Sequence, residues 1–89
     1  MNIEEIEKFI SKLPENEPAY VKISFKSRDT VYGLFVKDRD YSHLKSKNFW
    51  RIVTKLSFKQ FAETHDMSLS RIFNGAQFSR LAAIPLPVE

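Results

Sequence analysis

The chain has no cysteine, and its 89 residues include only two glycines, two histidines and one tryptophan. Without cysteine, neither a disulfide framework nor a thiolate metal site can form, and a reducing compartment is the simplest setting. Gly33 and Gly75 are the only glycines, so no phosphate-cradling glycine loop is present. His43 and His65 stand without an HExxH or GxSxG pattern. Long apolar runs are missing as well. The start, Met1-Asn2-Ile3-Glu4-Glu5, is acidic, so neither a signal peptide nor a membrane span is expected, and the cytoplasm is the default location. No internal repeat or low-complexity tract breaks the chain, which has room for one domain with one modest core. These absences argue against an enzyme, a bound cofactor and a small-molecule substrate. They leave a binding protein.

What is present is unevenly charged. Residues 1–18 carry five acidic and two basic side chains, whereas residues 22–59 hold ten basic and three acidic ones. A basic body behind an acidic leader can bind polyanions, because Lys and Arg displace counterions from a phosphate backbone. An ordinary solvated surface explains the same numbers about equally well. Asp38 and Asp40 lie two apart with Arg39 between them, which reads as solvated loop carboxylates rather than a metal site.

Asn2 to Leu13 reads as a helix. Ile3, Ile6, Ile10 and Leu13 form one apolar stripe with Phe9 beside it. Asn2 and Glu5 have capping-box spacing, and Pro14 ends the helix. Glu15 to Pro18 is a short linker. Tyr20 to Lys26 alternates as a strand with Val21, Ile23 and Phe25 on one face. Val31 to Val36 is apolar on both faces with Gly33 in its middle, which suits a bent strand that serves two packed layers.

Lys37 to Asn48 is a polar break, and Phe49 to Val53 is a third strand. Phe58 to Asp66 is weakly helical, with Ser57 able to cap it. Asn74-Gly75 separates the apolar run Leu69–Phe73 from the alternating run Phe78–Ile84. Asn-Gly favours a turn through its tolerance of positive φ, and the four residues Asn74–Gln77 allow either a tight turn or a 3₁₀ turn. The tail from Pro85 has prolines at alternate positions and can only be an edge or extended segment. The expected fold is mostly β (α+β): a small, strongly bent, five-stranded antiparallel barrel with an N-terminal helix. Ile6, Ile10, Val21, Ile23, Phe25, Val31, Phe35, Ile52, Ile72, Phe78 and Leu81 are its expected core.

Two segments resemble the bipartite signature of Sm and Sm-like proteins, including the bacterial Hfq branch. Val21-x-Ile23-x-Phe25, Arg28 and Val31-x-Gly33-x-Phe35 are similar to the first motif. Phe73-Asn74-Gly75-Ala76-Gln77-Phe78, Leu81 and Ile84-Pro85-Leu86-Pro87 are similar to the second. The resemblance implies single-stranded RNA as partner and assembly into a homo-oligomer through edge strands. It departs from the family at the pocket: Arg39 and His43 stand at the Asp and Asn positions, and Asn74 replaces the Arg. If the loop holds an insertion, Trp50 takes a pocket position instead, although core burial is the better reading of Trp50.

The expected RNA contact therefore comprises Arg39, Tyr41, His43, Lys45, Lys47, Asn74 and Gly75. Tyr41 would stack a base, His43 and Asn74 would bond a base edge, and the lysines would meet phosphates. Histidine changes charge near neutral pH, so mild acidification would strengthen binding. Two other functions fit the same chain. The barrel could be a protein-interaction subunit. Alternatively, residues 58–78 could form a DNA-binding helix-turn-helix, in which Gly75 would take an apolar position at a cost of about 1 kcal/mol.

Overall fold

The computed structural model describes residues 1–14 and 19–84. The expected linker at Glu15–Pro18 and the tail from Pro85 lie outside them. Helix α1 spans Ile3–Ser11, with the capping box in place: Glu5 N–H donates to the Asn2 side chain, and Asn2 N–H donates to the Glu5 carboxylate. Two orphan N–H groups are satisfied by this exchange. The apolar stripe docks as its spacing requires. Ile6 is fully buried, and Ile3, Phe9, Ile10 and Leu13 pack against the same core.

Five antiparallel strands follow: β1 Tyr20–Phe25, β2 Val31–Phe35, β3 Phe49–Thr54, β4 Arg71–Asn74 and β5 Phe78–Ile84. They form one sheet in the order β4-β3-β2-β1-β5, so β1 pairs with both its sequence neighbour and the last strand. A register shift at Ser24/Phe25 marks where β1 and β5 curve. The order and the curvature give the small barrel-like α+β fold that alternation and Gly33 predicted. Gly33 lies opposite Val21 on one side and Thr54 on the other. A Cβ there would collide with the Ile52 methyl and touch Ile23 Cδ1 at 3.5 Å. Its backbone φ is not positive. The glycine is needed for space.

The inner face carries Val21, Ile23, Trp50, Ile52, Phe78 and Leu81, which with Ile6 form the core cluster. Of the other expected core residues, Ile10, Val31, Phe25 and Phe35 are half-buried. Ile72 is a correction. It pairs with Arg51 on the outer face of β3 and is 51% exposed, while its neighbour Phe73 pairs with Trp50 and turns inward. In a strand, one step of parity reverses the face.

Both faces of the middle strands are covered. Val53 points away from Ile52 yet is fully buried. Helix α3, Phe58–Thr64, packs on β3; its Phe61 is buried, and its Phe58 stacks on Tyr20 with ring centroids 4.2 Å apart. This outer layer is why β2 is apolar on both sides. Ser57 precedes α3 but makes no side-chain capping bond, contrary to expectation. Asp66 instead caps the next 3₁₀ turn, Met67–Leu69, by accepting from Ser68 N–H at 2.9 Å. The segment that a helix-turn-helix would use as its recognition helix is strand β4 followed by a 3₁₀ turn, Gly75–Gln77. No second helix is formed there.

Candidate nucleic-acid interface

The expected polar break contains a helix of its own, α2, Tyr41–Ser46. Six residues cannot hold a helix by local propensity alone, so tertiary contacts must do it. Asp40, just ahead of the helix, makes no capping bond but pairs with the Arg51 guanidinium on β3. Arg51 also donates to Ser70 Oγ at 3.1 Å, which ties β3 to the start of β4. Asp40 is thus a half-buried structural carboxylate, not the solvated loop acid expected from its neighbours. Asp38 is exposed and accepts from Arg39 N–H at 2.8 Å.

Tyr41 packs edge-on against Trp50 with centroids 6.1 Å apart. Lys37 and Lys45 place their ammonium groups 5.1 and 5.7 Å from its ring centre. Burial pushes the Tyr41 phenol above its ordinary value; Lys45 pulls it down and Glu7 pushes it up. Lys45 is ion-paired with Glu7 of α1, and the bond to Glu7 raises the lysine above its ordinary value. Arg39, His43 and Lys47 are exposed along the same segment. Among the described residues none of the three makes an ion pair.

Asn74 and Gly75 do meet the end of this segment, through Asn48. Gly75 N–H donates to Asn48 O at 2.7 Å. Asn48 has φ 63°, in the left-handed region that Asn tolerates better than most residues. Its amide accepts from Trp50 Nε1 at 2.8 Å and donates to Met1 O at 3.0 Å. The Met1 ammonium donates to Gly75 O at 3.0 Å and Phe78 O at 2.7 Å. Trp50 is 2% exposed, which places it in the core rather than in a pocket.

Gly75 is buried as well. A Cβ on it would crowd Asn48, Ile6 Cδ1 at 2.6 Å and Trp50 Nε1 at 2.7 Å. Neither Asn74 nor Gly75 has positive φ, so the Asn-Gly pair forms the 3₁₀ turn and not a tight hairpin. The Asn74 side chain is occupied in that turn, accepting from Ala76 N–H at 2.9 Å. The seven expected residues thus divide. Arg39, His43 and Lys47 face solvent; Tyr41 and Lys45 hold α2 in place; Asn74 and Gly75 build the turn beneath it.

A second cation–aromatic cluster joins residues of the two segments that resemble the Sm-like signature. Arg28, in the β1–β2 turn, sets its guanidinium 5.0 Å from the Phe25 ring centre and 5.8 Å from that of Phe73. Phe25 and Phe73 are brought together by the barrel, across 48 residues of chain. The quoted motifs contain all three residues, but nothing local showed that they meet.

Among the described residues no group of His, Asp and Glu is arranged to hold a metal ion. No helix among them is long and apolar enough to cross a membrane. No family model, curated protein or solved structure matches this chain.

Proposed function

We propose that this chain is a non-enzymatic cytoplasmic module that binds single-stranded RNA on the α2 surface. The observation that carries the reading is the charge left over after internal pairing. Residues 22–59 hold ten basic side chains, and only Lys45 and Arg51 of these make ion pairs among the described residues. Free cations beside partly exposed aromatic rings suit a backbone of phosphates with unpaired bases. The Sm-like resemblance of the two strand motifs supports the same partner class. Arg39, His43 and Lys47 are the contacts, because they are exposed and their side chains make no ion pair or hydrogen bond among the described residues. Tyr41 supports the helix that displays them; with Lys37 and Lys45 over its half-buried ring, a base stacks on it only by displacing one of those ammonium groups.

Salt titration of binding to mixed-sequence single-stranded RNA tests this directly. The expected result is a steep loss of affinity with salt, made shallower in an Arg39→Ala, His43→Ala, Lys47→Ala triple variant. Tyr41 stays intact in that variant, because removing it would loosen α2 and confuse binding with stability. Absence of binding at low salt would end the reading.

One observation favours a second function, assembly or protein interaction through an edge. Among the described residues strand β4 ends the sheet, and Ile72 on it is half exposed. An apolar residue on an unpaired edge invites another strand. Sedimentation of the protein and of an Ile72→Lys variant separates a homo-oligomer from a monomer that needs a different partner.

A further inference from the structure

We propose that Arg28, held over Phe25 and Phe73, is a second single-stranded RNA contact, taking a backbone phosphate on its guanidinium. The proposal rests on the RNA-binding reading above and adds a site outside the α2 segment. Arg28 is exposed, and both rings beneath it are half-buried. The rings fix a side chain that would otherwise lose rotamer freedom on binding, so less order remains to be imposed by the ligand. Neither of the two ion pairs among the described residues involves Arg28, and no side-chain hydrogen bond there engages its N–H groups. Asp29 is the neighbouring acid; it is exposed and leaves the guanidinium unpaired. A forked donor set held in place and left open matches the paired oxygens of a phosphate.

The surroundings have the same sign. Lys26 is exposed two residues away, and its N–H bonds to Gln77 O, which brings the β4–β5 turn beside the end of β1. Arg80 is exposed on β5 opposite Ser24 of β1. The three cations lie along one end of the β1–β5 pair, with Asp29 the one acid in the β1–β2 turn. A bare charge patch would need no aromatic base under one of its members. The stacked arginine sets this place apart.

The test compares the parent with Arg28→Gln and Arg28→Lys in fluorescence anisotropy on a labelled mixed-sequence single-stranded RNA, with melting temperatures measured in parallel. Loss of the charge-assisted fork should weaken Arg28→Gln binding about tenfold and lower the salt slope by roughly one. Arg28→Lys keeps the charge but lacks the fork, and its melting temperature reports whether the fold tolerates the change. It should recover only part of the affinity. If Arg28→Lys binds as the parent does, the fork has no role and the proposal fails. If Arg28→Gln also binds normally while the parent binds well, the site fails and the α2 reading stands. If the parent itself does not bind at low salt, both fall together.

Discussion

Single atoms decide several positions in this small barrel. Gly33 sits where β1, β2 and β3 press together, and any Cβ there must displace the Ile52 side chain. Gly33→Val therefore overpacks the inner layer, at a cost of about 3 kcal/mol or more. The melting temperature checks this, and an unchanged value would mean that the close approach is not real. Asn48 raises a separate question, because two roles meet in it. It accepts the buried indole N–H of Trp50 and also adopts a left-handed backbone. Asn48→Gly removes only the hydrogen bonds and leaves Trp50 Nε1 unsatisfied, which costs about 1–3 kcal/mol. Asn48→Ala adds the strain of a left-handed alanine, about 1 kcal/mol more. Alanine should thus be the worse of the two in urea denaturation. The reverse order would show that backbone strain is absent.

At the scale of elements, the legible ones carried their signal locally. The capping box and stripe of α1, the alternation of β1 and the crowded middle of β2 were all readable from a few adjacent residues, whereas β5 forms without the expected alternation: Phe78 and Leu81 are buried three apart, across the register shift against β1. Helix α2 was not, because its anchors lie elsewhere: Asp40 on Arg51, Tyr41 on Trp50 and Lys45 on Glu7. A polar string such as Lys37–Asn48 looks like a loop until the sheet exists to receive it. The same holds for the outer layer of Val53, Phe58 and Phe61, and for the face that Ile72 takes. For the candidate site, the exposed cations were legible. That Gly75 would be buried in packing and the Asn74 side-chain oxygen taken by the turn was not. The link from α3 to β4 supplies a pH test. The Ser68 bond holds the Asp66 carboxyl below its ordinary value of 3.8. A carboxyl lowered by folding adds stability above its unfolded value and loses it as pH falls through the lower folded one. The parent should therefore melt above Asp66→Asn at neutral pH, and the gap should narrow only once the pH falls below the ordinary value of 3.8 and through the lower folded one. A constant gap would mean that the charge has no part in the cap.

Over the whole molecule, the sheet and α1 share one core, and we expect them to unfold as one unit. Strand β1 pairs with β5 across some sixty residues, so the sheet closes only when distant parts of the chain meet. Helix α1 then covers one side of that closure. Ile6 is fully buried in the same cluster as Trp50 and Phe78, and the Met1 ammonium is bonded to Gly75 and Phe78 carbonyls. Each fully buried apolar side chain of this kind contributes about 1.5–3 kcal/mol. A domain this size has a total stability near the low end of about 5–15 kcal/mol. Loss of Ile6 with the packing of Ile3, Phe9, Ile10 and Leu13 is then comparable with everything that holds the fold. The chain from Pro14 onward should show no cooperative thermal transition, and Ile6→Ala should lower stability by about 2–5 kcal/mol. A peptide of residues 1–13 is too short to be stably helical alone, yet added at high concentration to the shortened chain it should restore a transition by binding the folded state. If the shortened chain melts cooperatively without the peptide, the strands are self-sufficient and α1 is an accessory that covers them.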